Sequence, residues 1–74
     1  MNLTKEEIKK RNIRNYYILM DACNGDKFAR CLTMIEIKHE ARLYDEECDG
    51  EWQPELFLYN RDTKEYKYIE DWNY

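Results

Sequence analysis

The stretch Asp45-Glu46-Glu47-Cys48-Asp49-Gly50-Glu51 packs five carboxylates into seven positions. Oxygen-rich runs of this kind suit hard cations, and Asp45, Glu47, Asp49 and Gly50 match positions 1, 3, 5 and 6 of the calcium-loop pattern D-x-[DN]-x-[DN]-G-x5-E. The match fails where the shell must close. Leu56 stands at position 12, where the bidentate glutamate belongs, and Pro54 stands at position 10. The run is therefore expected to be a solvated acidic turn that holds no metal.

Two other chemistries can be weighed from residue types. Zinc would draw on Cys23, Cys31, His39 and Cys48, which are separated by seven, seven and eight residues, whereas structural zinc sites bring their ligands in close pairs. Nucleophilic catalysis would need a thiolate beside a base, and the one histidine has no sequence feature that brings it to a cysteine. With two glycines in 74 residues there is no phosphate-cradling loop, and no G-x-S-x-G or H-E-x-x-H is present. The expectation is a non-enzymatic chain without cofactors. Three unpaired cysteines without a C-x-x-C fit reduced thiols, hence a cytoplasmic location. No apolar run approaches the ~20 residues of a membrane span, and the N-terminal stretch lacks the apolar core of a signal peptide.

The net charge of −4 hides an asymmetry. Residues 1–39 carry eight Lys/Arg against five Asp/Glu, and residues 40–74 carry four against eleven, so the halves stand at +3 and −7. Eight of the eleven aromatic residues also fall in the acidic half. Amphipathic rings among carboxylates make a surface that steers a basic partner in by charge and anchors it by ring burial. Asp45, Glu46, Glu47, Asp49, Glu51, Trp52, Tyr59, Glu70, Asp71 and Trp72 are the candidate contact residues. Lys5, Lys9, Lys10, Arg11 and Arg14 form a basic cluster, but helical spacing spreads them around the axis and Glu6 and Glu7 dilute them, so direct nucleic-acid binding is not expected.

The elements that must position these residues begin with Thr4-Lys5-Glu6-Glu7, a capping box with Leu3 and Ile8 as its hydrophobic staple. Ile8, Asn12, Tyr16, Leu19 and Cys23 then recur at helical spacing, which predicts a helix over 5–23 ended by Asn24-Gly25. The competing reading stops the helix near Arg14 and makes Tyr16–Cys23 a strand leading into an Asn-Gly hairpin. From Asp26 to Cys48 there is no Gly, Pro or Asn, and Phe28, Cys31, Leu32, Ile35, His39 and Leu43 share one helical face, which predicts a second helix; alternation through Ile35, Ile37 and His39 also permits a strand. Residues 55–59 and 64–69, joined by Asn60-Arg61-Asp62-Thr63, read as a β-hairpin. Asp49-Gly50 offers a further turn that would pair residues 42–45 with 52–59 in a three-stranded meander, with Pro54 confining that strand to an edge or a bulge.

The sum is a single compact α+β domain over 1–74, with one or two N-terminal helices packed on a C-terminal antiparallel hairpin or meander. Its expected function is that of a small acidic protein-binding module, one form of which is an inhibitor occupying the basic, nucleic-acid-binding surface of a target. The absence of Val and Ser beside abundant Asn, Lys, Ile, Glu and Tyr fits an AT-rich source such as a mobile element or phage. Self-association into a homodimer, through short apolar helix faces and an edge strand, is the alternative, followed by cation or nucleic-acid binding.

Overall fold

The structure is a computed structural model that describes residues 2–23 and 26–74; the side chains of residues 26–28 also lie outside the description. The chain forms α1 (Lys5–Lys10), β1 (Asn15–Asp21), β2 (Asp26–Cys31), α2 (Met34–Glu47), β3 (Pro54–Asn60) and β4 (Glu65–Ile69). The four strands make one antiparallel sheet in the order β2-β1-β3-β4. The α+β class holds, but the arrangement of helices differs from the expectation.

The expected helix over 5–23 ends at Lys10, and residues 15–21 form the strand of the competing reading. Thr4 and Glu7 form the capping box as expected. The stop is local: Asn12 adopts a left-handed conformation (φ 53°), and the Ile13 N–H donates to the Ile8 carbonyl at 2.9 Å. This is the bond pattern that closes a helix through a left-handed residue, and Ile13 packs against the buried cluster that contains Ile8. β1 then crosses the middle of the sheet with both faces covered. Tyr16 and Ile18 meet Leu3 and Ile8 on one side, while Tyr17 and Leu19 face α2 on the other. A strand buried on both faces has a continuous apolar sequence, which periodicity alone cannot separate from a buried helix. The expected Asn24-Gly25 stop lies outside the described residues.

The expected helix over 26–48 is likewise divided, into β2 and α2. Thr33 caps α2 by accepting the Glu36 N–H at 3.2 Å, and its hydroxyl donates to the Glu36 carboxylate at 3.0 Å. The helix turns Met34, Ile37, Ala41, Tyr44 and Cys48 onto the sheet against Leu19, Ala29, Cys31 and Leu56. The face expected to be core is therefore the outer one: Leu32, Ile35, His39 and Leu43 are exposed, Ile35 to 81%. The meander through Asp49-Gly50 does not form, because residues 42–45 belong to α2.

β3 and β4 form the expected hairpin, with Asn60 paired to Glu65. The Asn60 side chain accepts the N–H groups of Asp62 and Thr63, and Lys64 takes the left-handed position (φ 61°) that lets its N–H reach the Asn60 carbonyl at 2.8 Å. β3 is an interior strand, so Pro54 does not place it on an edge. The Ala22 N–H to Gln53 carbonyl bond makes that pair hydrogen-bonded, so the alternation of an antiparallel ladder turns the Pro54 nitrogen away from β1. On that side β4 has already ended, opposite Leu56, and the missing N–H costs nothing.

Lys64→Gly is expected to raise unfolding free energy by about 0.5–1 kcal/mol, because glycine relieves the left-handed strain that a lysine bears there. Urea denaturation measures it, and Thr63→Gly, at a neighbouring position without positive φ, should lower stability.

Candidate functional site: the carboxylate and aromatic cluster at the end of α2

The last turn of α2 builds the acidic end of the molecule. Cys48 is the C-cap, Asp49 (φ 52°) and Gly50 (φ 75°) are left-handed, and the Gly50 N–H returns to the Asp45 carbonyl at 2.9 Å. This tight reversal swings Trp52 back over the helix. Its ring meets Tyr44 edge-on with centroids 4.8 Å apart, and its indole N–H donates to Asp45 Oδ1 at 2.8 Å. The chain beyond β4 comes to the same place. The Tyr74 hydroxyl donates to the same Asp45 oxygen at 2.9 Å, its ring lies 5.6 Å from Trp52 and 5.7 Å from Trp72, and Trp72 packs on the core beneath α2.

Asp21 supports this cluster from below. It ends β1, is 2% exposed, and accepts from three segments: the Cys23 N–H at 2.9 Å, the Tyr44 hydroxyl at 3.0 Å and the Gln53 N–H at 3.4 Å. A carboxylate taken out of water is tolerated only when its oxygens are satisfied, and here the donors come from the β1–β2 turn, α2 and the segment leading into β3. Neither Asp21 nor Tyr44 nor Tyr74 was among the contact candidates. An acid set within the apolar run Tyr16–Cys23 is the sequence signal that marks Asp21 as a buried acceptor.

The ten candidates separate into three groups. Glu46, Glu47, Asp49, Glu51, Glu70 and Asp71 are exposed at this end of the molecule. Asp45 and Trp72 are half-buried, and Trp52 is buried at 8% exposure, so Trp52 is a core ring and not the exposed anchor it was expected to be. Tyr59 does not join the cluster. It lies near the far end of β3 on the opposite sheet face, 5.4 Å from Tyr16 and 4.6 Å from Tyr66, because alternation sends Phe57 and Tyr59 away from Leu56. Phe57, Tyr59, Tyr66 and Tyr68 thus form a second aromatic group without the acidic run.

The asymmetry of charge follows the strand axis. Asp21, the acidic turn and the segment after β4 share one end, whereas α1, Arg14 and Arg61 lie at the other. There Lys5, Lys9 and Arg61 border a cleft of ≈ 360 Å³ floored by Ile8 and Tyr16, and Arg14 pairs with Asp62 at 3.2 Å. Among the described residues no three His, Cys, Asp or Glu side chains converge as a metal site. The cysteines are dispersed: Cys23 exposed, Cys48 half-buried, Cys31 buried with its thiol pushed up to about 11 by that burial. No helix among the described residues is long and apolar enough to cross a membrane.

No family model, curated protein or solved structure matches this chain.

The hydrogen bond to Asp21 pushes the Tyr44 hydroxyl from 10.0 up to about 12, and Cys31 rises from 9.0 to about 11. Both groups bind their protons more tightly when folded. The stability they contribute is complete below about pH 9 and is lost as pH rises, through about 11 for Cys31 and about 12 for Tyr44. The urea midpoint of the wild type should fall steadily from pH 9 to 11.5. Tyr44→Phe should start from a lower midpoint at pH 7, since Asp21 loses a donor, and fall less steeply above pH 10.

Proposed function

We propose that this chain is a non-enzymatic protein-binding module whose acidic end occupies a basic surface on a target protein. A surface that otherwise binds nucleic acid has the matching chemistry, and the chain would then act as an inhibitor by covering it. The observation that carries this reading is the return of the segment after β4, fixed by the Tyr74 hydroxyl on Asp45. It adds Glu70 and Asp71 to the exposed carboxylates of Glu46, Glu47, Asp49 and Glu51 at one end of the molecule.

The roles divide by exposure. The six exposed carboxylates steer and pair with the partner's cations, and among the described residues no cation of this chain is bonded to them. Asp45 and Trp52 hold the surface in shape from within. Apolar contact falls to Tyr74, 40% exposed, and to the half-buried Trp72. The helical last turn of α2 and the left-handed Asp49-Gly50 reversal fix the backbone that carries Glu46, Glu47, Asp49 and Glu51, so less ordering is required on binding.

The test begins with capture of the partner from a cell extract, followed by binding kinetics of the purified pair. Raising ionic strength from 50 to 500 mM should slow association about tenfold or more, and Glu46→Lys with Glu47→Lys and Glu51→Lys should do the same at low salt, without lowering the melting temperature. Nucleic acid should compete with the chain for the partner. A rate indifferent to both salt and charge reversal would remove the proposal.

A further inference from the structure

Helix α2 is apolar on two opposite sides. At 100° per residue, Met34, Ile37, Ala41, Tyr44 and Cys48 point at the sheet, and Ile35, His39 and Leu43 run in a line directly away from it, extended by Leu32 just before the helix. Ile35 is 81% exposed, Leu43 46% and Leu32 37%. A solvent-facing helix surface ordinarily carries charge, so Ile35 and Leu43, two large aliphatic side chains standing exposed on either side of His39, mark a contact surface.

The flanks of that ridge identify what fits it. On one side stand Lys38 and Arg42, and on the other Glu40 and Glu47. We infer that α2 pairs in parallel with α2 of a second copy about a two-fold axis near His39, burying Ile35 and Leu43 of both copies. A two-fold axis along the helices brings the basic flank of each against the acidic flank of the other, so that Lys38 meets Glu40 twice. An antiparallel pair would do the reverse, setting Lys38 and Arg42 against their own copies and Glu40 against Glu40. Charge therefore selects the parallel arrangement over the antiparallel one. The ridge follows the i±4 row, which favours a crossing near −50°, and such a crossing splays the helix ends and separates the two Glu46 side chains.

Light scattering and sedimentation of the intact chain across micromolar to millimolar concentration test the inference. A dimer is expected, with a dissociation constant in the micromolar range suited to one short helix pair. Ile35→Asp, at an exposed position, should leave circular dichroism and melting of the monomer intact and abolish the dimer. Lys38→Glu should weaken it about tenfold or more, and adding Glu40→Lys should restore it to within about threefold, because the swap re-forms both cross-pairs. A chain that stays monomeric at millimolar concentration, a dimer that survives Ile35→Asp, or a Lys38→Glu dimer as tight as the wild type would each overturn it.

Discussion

A single buried carboxylate organises the acidic half of this molecule. Asp21 sits at the end of the central strand, where the chain must turn, where α2 finishes its climb across the sheet and where β3 begins. None of these segments could dock here on apolar contact alone, since each brings a polar group that would be stranded away from water. One aspartate accepts from all of them. The Tyr44 ring that Asp21 holds is then the surface on which Trp52 packs, Trp52 orients Asp45, and Asp45 holds Tyr74. Acid and aromatic residues alternate through the cluster as acceptor and donor.

This arrangement also explains which carboxylates remain for a partner. Asp21 and Asp45 turn inward and are used in construction, while Glu46, Glu47, Asp49, Glu51, Glu70 and Asp71 have no such role and face water. Six negative charges held at one end by a tight turn and a docked terminal segment repel one another, and like-charge repulsion of this kind weakens folding. The buried hydrogen bonds beneath them offset that repulsion. Lys5, Lys9, Arg14 and Arg61 sit at the far end of the strands, away from the acidic end.

Much of the architecture was legible where a signal was both local and specific. The Thr4 and Glu7 capping box fixed the start of α1, and turn formers between two aromatic strands fixed the β3–β4 hairpin. The end of α1 was present in the sequence as Asn12 followed by an apolar residue, and the start of α2 as Thr33-Met-Ile-Glu36, a second capping pattern of the kind recognised at Thr4. Both were overridden by periodicity. A central strand covered on both faces and a helix apolar on two sides each defeat the rule that one apolar face marks the core. The stripe Leu32, Ile35, His39 and Leu43 was correctly seen as apolar, yet it faces outward, because Ile37 and Ala41 give the tighter approach to Leu19 and Leu56. Trp52 and Tyr59 were misassigned for a related reason: whether a ring is buried depends on which segments return to it, and the return of Tyr74 to Asp45 spans 29 residues.

The most direct measurement is the unfolding free energy of Asp21→Asn beside that of Glu46→Gln. If the buried carboxylate joins the three segments as described, Asp21→Asn should cost about 2–4 kcal/mol, and Glu46→Gln, at an exposed position, less than about 0.5 kcal/mol. Equal and small losses for the two variants would contradict the account.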